Sequence, residues 1–334
     1  MKTEETYEDP TCEVWRISLI VIGLLAFFTN GRAQHKQSWI EGAFYTEANY
    51  GYNFFGEDRH TIDFPHVILD LTLHLGKGWH FSTEQDVEYL QECGLKPQSF
   101  RDMYSCNWAY LQKDLVPEAQ LLIGILKVPV GLTSSFRGTG LTVYDPLAEG
   151  CVLSMKWHET GVALTGHHGK WDYWLGYLAH LGRNLHGSHS LGVAARIDYQ
   201  PVDGISLGAS GFHGKGAEHS KLTSDGMVEH GQRATYLSAD IVCDRGRWIA
   251  SAQYVYLSVH DDIALGAEVG YRLTDKITPF VRYDWLSTPH NADYKVATAG
   301  VNAELLKNLV VKAQVAQERS MTRIDTSVSY YIEF

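Results

Sequence analysis

The chain has 334 residues, 45% hydrophobic and 20% charged, and its 28 basic side chains stand against 39 acidic ones for a formal net charge of -11. That balance excludes nucleic acid as a partner, because phosphate needs a basic face. The spread of charge excludes a bundle of membrane-spanning helices, but not a membrane barrel, whose lumen-facing polar residues dilute the apolar average.

At the start of the chain, Arg16 precedes an almost wholly apolar core, Ile17–Phe28, which is followed by Thr29, Asn30, Gly31, Arg32 and Ala33. The core is too short to span a bilayer. A charged start, a short apolar run and small residues three and one before a cut describe a secretory signal, so cleavage is expected between Ala33 and Gln34, leaving 34–334 as one barrel domain. The acidic residues ahead of Cys12 are unusual in such a segment, which leaves a later start codon or a buried helix of the mature fold as alternatives. Without 1–33 the chain keeps 25 basic and 34 acidic side chains, a net charge of -9.

From Trp39 onward apolar and polar residues alternate with period two, and no helical period is sustained. With 19 Tyr, 9 Trp and 31 Gly against 9 Pro, the composition suits an aromatic-rich β protein with tight turns. Strands are expected at 39–50, 66–75, 79–90, 104–114, 119–127, 158–167, 170–181, 190–200, 204–213, 232–243, 246–257, 263–273, 277–286, 294–304, 308–317 and 322–334. That makes sixteen, and the connections between them alternate in length. Long ones at 51–65 and 91–103 are followed by short ones at Gly76–Gly78 and Leu115–Glu118; the short set continues with His168–Gly169, Pro201–Gly204, Asp244–Arg245, Thr274–Lys276 and Leu305–Lys307. A transmembrane antiparallel β-barrel has this pattern, with tight turns on one rim and long loops on the other.

The longest connection, roughly Val128–Trp157, is punctuated by Gly131, Gly138, Gly140, Asp145-Pro146 and Gly150. It is expected to lie at the barrel mouth or to fold into the lumen as a constriction. Pro129 lacks a ladder donor and Gly131 accepts a bend, so Pro129-Val130-Gly131 is a hinge that turns the loop inward, or an ordinary strand end.

Parity separates two faces. In the last strand Ile324, Thr326, Val328, Tyr330, Ile332 and Phe334 share a lipid-compatible face, and Asp325, Ser327, Ser329, Tyr331 and Glu333 a wet one. Trp79, Trp171 and Trp248 stand just after short turns, while Tyr199, Tyr271 and Phe334 stand just before a turn or the chain end. All six share the apolar parity, as an aromatic girdle at one membrane interface would. Lipid allows no unpaired sheet edge, so the last strand is expected to pair with the first.

The lumen set by the same parity contains Lys127, Arg196, Arg272, Arg282 and Lys312, together with Glu84, Asp86, Glu88, Glu159, Asp198, Asp240, Glu268, Asp284 and Asp325. Within the long loop Arg137 and Lys156 face Asp145 and Glu149. No basic ladder stands out. Opposite charges across a pore orient polar solutes, which fits general or cation-leaning diffusion. Glu159 is a candidate to fix the constriction, with a solvated lumen charge as the alternative.

Other chemistries find little support. Of the four cysteines after residue 33, Cys93 and Cys106 could bridge one loop in an oxidising compartment or remain free thiols, and none has CxxC spacing. His167-His168 and His186 with His189 lack a Cys or carboxylate in ligand spacing, so no metal or cofactor is expected. No nucleophile elbow, zinc helix or phosphate-cradling Gly loop is present. A lipid hydrolase of the membrane, or a plugged structural or adhesin barrel, remains the alternative.

The segments NWAYLQKDLVPEAQLLIGILKVPVGLT and KWHETGVALTG, with GWHFSTEQDVEYL, LGASGFHG and ITPFVRYDWL, resemble the porin family named for the phosphate-selective porins O and P, in the form found in Bacteroidota. The most specific pieces are Lys127–Gly131 and Trp157–Gly161. The resemblance implies an outer-membrane, water-filled channel for small hydrophilic solutes or ions. It also implies contact with outer-membrane lipid, recognition of the C-terminal strand by the barrel-assembly machinery, and a homotrimer.

Overall fold

The computed structural model describes residues 39–54, 60–89, 103–132, 140–153, 157–179, 191–215, 233–259, 261–289, 293–318 and 321–334. Alternation between apolar and polar side chains yields sixteen strands: β1 (Ile40–Asn53), β2 (His60–Gly76), β3 (Trp79–Tyr89), β4 (Tyr104–Val116), β5 (Ala119–Lys127), β6 (His158–His168), β7 (Trp171–Ala179), β8 (Leu191–Val202), β9 (Ile205–Lys215), β10 (Arg233–Arg245), β11 (Trp248–Leu257), β12 (Asp262–Tyr271), β13 (Ile277–Ser287), β14 (Tyr294–Leu306), β15 (Leu309–Glu318) and β16 (Met321–Glu333). Each pairs antiparallel with its neighbours in sequence. β1 also pairs with β16, from Ala43 opposite Glu333 to Asn53 opposite Arg323, and so closes the barrel. Gly42 and Phe334 exchange both backbone hydrogen bonds at 3.0 Å, which draws the last residue into the seam.

One strand departs clearly from expectation. β2 begins at His60 rather than near 66, because Pro65 does not end it: the ladder to β3 shifts register between Phe64 and Val67 and absorbs the missing donor in a bulge. The remaining ends differ from expectation by a few residues.

The two faces divide as parity requires. Val328 and Ile197 are 47% and 45% exposed on the outside, whereas Asp325 and Ser327 are 0% and 1% exposed inside. Hydrophobic side chains therefore form an outer belt, and the polar ones line the lumen. At the short-turn rim the aromatics stack across strands, Trp171 on Tyr199 at 4.4 Å and Trp248 on Tyr271 at 4.9 Å between ring centres. Trp79, Trp171, Trp248 and Phe334 are all exposed.

Candidate functional site

The connection between β5 and β6 enters the barrel. Its two legs meet at the root, where Val128 donates its backbone N–H to the Trp157 carbonyl at 2.8 Å. Val128, Val130, Val152, Leu153 and Trp157 then bury themselves against inward side chains of β7 to β13, among them Leu178, Phe212, Tyr236 and Leu257. Trp157 is fully buried, with its ring edge-on to both Phe212 and Tyr236 at 5.0 Å. A polar lumen thus contains an apolar patch, and the loop covers it.

Gly131 makes the turn inward. Its φ of +91° is strained for any residue with a side chain, and a Cβ there would lie 2.4 Å from Leu153 Cδ1 and 2.6 Å from Glu149 Oε1. Its N–H donates to Ser210 Oγ at 3.2 Å, and its carbonyl accepts from Arg196 Nη1 at 3.3 Å. Leu132 N–H donates to Gln253 Oε1. Arg196 in turn lies between Asp198 and Asp240, making bidentate pairs with both at 2.7–2.9 Å. Gly208 leaves the room: a Cβ there would come within 2.3 Å of Arg196 Nη2.

The returning leg is fastened the same way. Arg282, paired with Asp284 at 2.6 and 3.0 Å, donates to Thr142 Oγ1 at 2.7 Å and to the Tyr144 carbonyl at 2.9 Å. Lys312 Nζ donates to the Thr142 carbonyl, and Val143 N–H to Gln314 Oε1. Arg323, paired with Asp325, stacks over the Tyr144 ring at 4.3 Å. Burial first, then the Asp325 carboxylate, pushes the Tyr144 phenol above its ordinary range. Beyond Pro146, a single turn of π-type helix at Ala148–Val152 leads back toward the root.

These contacts run along β7 to β16 and engage Arg196, Arg282, Lys312 and Arg323, each within the loop or with a carboxylate. On the opposite side, β1 to β3 carry inward Glu47, Asp70, Glu84, Asp86 and Glu88. Lys127 lies near them: its ammonium is 5.8 Å from the Trp108 ring centre, and Glu84, Glu149 and Asp145 act on it electrostatically. The β4–β5 ladder ends at Ala109 opposite Ile125, so β5 has left its neighbour by Lys127.

Not every residue singled out from sequence belongs to this arrangement. Arg272 sits at the short-turn rim, bonded to Asp244 and the Gly246 carbonyl. Glu159 is buried and accepts from the Thr160 N–H at 3.0 Å. Glu149 is buried beneath Gly131, and Asp145 is exposed. Arg137, Lys156, Ala33 and Gln34 lie outside the described residues, as do Cys93, His186 and His189. Cys106 and Cys243 carry free thiols. The sequence reading missed Arg323, although it shares the inward parity of Asp325. It also missed Gln253 and Gln314, whose amides carry no charge to draw attention.

No family model matches the sequence, and no curated protein matches it. Solved structures do. OmpF of Salmonella typhi in complex with daunomycin superposes with a TM-score of 0.66 at 12% identity, over 88% of this chain and 97% of that one. The chain has a porin fold. An anion-selective porin from Comamonas acidovorans gives 0.62 at 11% identity, over 88% and 98%. The trimer form of in-vitro folded OmpT, an outer membrane protein of Vibrio cholerae, gives 0.61 at 12%, over 88% and 99%.

Proposed function

We propose that the chain is an outer-membrane porin that passes small hydrophilic solutes and ions by diffusion and favours cations. The observation that carries this reading is the allocation of lumen charge: the arginines fasten the inward loop or pair with carboxylates, while the opposite side, β1 to β3, presents acids. A pore so lined concentrates cations and repels anions. Phosphate selectivity, which the family resemblance suggests, would call for free guanidinium and ammonium groups along the path to replace the anion's water.

The porin fold and the apolar outer belt support placement in an outer membrane, with residues 1–33 as a cleaved signal and the β16 seam as the element read by the assembly machinery. The trimer form known for OmpT supports a homotrimer. No covalent chemistry is assigned to the chain. The test is single-channel recording of the mature protein in a planar bilayer. Stepwise openings are the expected result. A silent bilayer with ester hydrolysis would replace this reading with a lipid hydrolase, and a silent bilayer alone with a plugged barrel.

A further inference from the structure

In the hairpin of β2 and β3, Val67 stands opposite Val87 and Ile68 opposite Asp86. His66 follows on the lumen face of β2, opposite Glu47, within the bulge between Phe64 and Val67, and there it lies close to Asp86 and Glu88 on the lumen face of β3. His66 Nδ1 lies 3.1 Å from Asp86 Oδ2, and one ligand atom from each of the three residues falls within 4.8 Å of the others. The Asp86 side chain is wholly buried and that of His66 is 29% exposed, so the cluster is built into the wall and still opens to the lumen.

We propose that His66, Asp86 and Glu88 form a binding site for a first-row divalent cation on the permeation path. The inference deepens the cation-favouring reading above and rests on it for the word path, but not for the site itself. Ligand atoms about 2.1 Å from a tetrahedral zinc ion stand roughly 3.4 Å apart, which small side-chain rotations reach from the present spacing. One imidazole with two carboxylates suits borderline ions such as Zn²⁺ better than Ca²⁺ or Mg²⁺, which take oxygen ligands. The two carboxylates balance the charge of a divalent ion. Glu84, on the same face of β3, adds to the local negative potential that gathers cations. A site of three protein ligands leaves a position for water, so it can load from the lumen and release to it.

The experiment is calorimetric titration of Zn²⁺ into the mature, untagged protein in detergent, alongside His66→Gln, Glu88→Gln and, as a control, His80→Gln at the short-turn end of the same wall. Wild type and His80→Gln should bind one equivalent. Both His66→Gln and Glu88→Gln should bind at least tenfold more weakly while keeping heat-modifiable migration, and either variant alone decides if the other fails to fold. Unchanged affinity in a folded variant, loss of the site in His80→Gln, or no saturable binding up to ~1 mM would overturn the proposal. No membrane or gradient is involved. Zinc binding without channel openings would therefore keep the site and remove the porin reading, whereas openings without zinc binding would do the reverse.

Discussion

Replacing Arg196 by Met tests whether the basic side chains serve the loop. Methionine keeps much of the side-chain length but removes a guanidinium whose side chain is 3% exposed and which bonds Asp198, Asp240 and the Gly131 carbonyl. Two carboxylates, 7% and 2% exposed, then lose their shared partner. Breaking a buried pair by removing one member costs about 3–5 kcal/mol, or roughly a factor of 10² to 10⁴ in a local equilibrium. Arg196 contributes no side-chain bond to the strand ladder, so the penalty falls on the loop root and not on closure of the sheet. The variant should therefore assemble and migrate as a heat-modifiable barrel. Its open-channel current should be noisier than wild type, and its preference for K⁺ should rise because two acids are unmasked. Asp240→Asn added to Arg196→Met should lower the noise again by removing one of the stranded charges. A folded Arg196→Met protein with wild-type noise and wild-type selectivity would refute the clamp.

Trp157→Ala should cost about 3–5 kcal/mol by opening a cavity against Phe212 and Tyr236; limited proteolysis should then cut within 128–157 while the barrel band survives, and resistance equal to wild type would contradict the packing. Phe334→Asp places a charge on the outward face at the seam, where the ring now lies over Gly42, and should abolish the heat-modifiable form in membranes. Because the folded pKa of Tyr144 is raised, its contribution to loop stability is whole below the unfolded value of about 10 and declines only above it. The ultraviolet difference between wild type and Tyr144→Phe should accordingly show no phenolate up to about pH 10, and earlier ionisation would mean that the loop does not bury this ring.

The barrel was legible because two signals of different origin agree. Period-two faces such as Ile324 to Phe334 identify strands, and turns such as Gly76–Gly78 set which rim each strand end occupies. β2 runs through Pro65, because a bulge there tolerates the missing backbone donor. Glycine and proline marked the long loop, and Gly131 proves to be its turning point. What holds the loop was not legible. Arg196 meets Asp240 across β9 only through the vacancy at Gly208, and Arg282 meets Thr142 far away in sequence; neither contact leaves a local pattern. Lys127 reaches Trp108 at the point where β5 has peeled away from β4. The cluster of His66 with Asp86 and Glu88 was not legible either, because bulges beside the turn and between Phe64 and Val67 shift the register of β2 against β3.

The central claim is that Arg196, Arg282, Lys312 and Arg323 are committed to holding the loop, so that the opposite wall is negative. It is tested most directly by the reversal potential of the mature protein in a planar bilayer under a KCl gradient. A potential of the sign set by K⁺ permeation is the predicted result, and one of the sign set by Cl⁻ would contradict it.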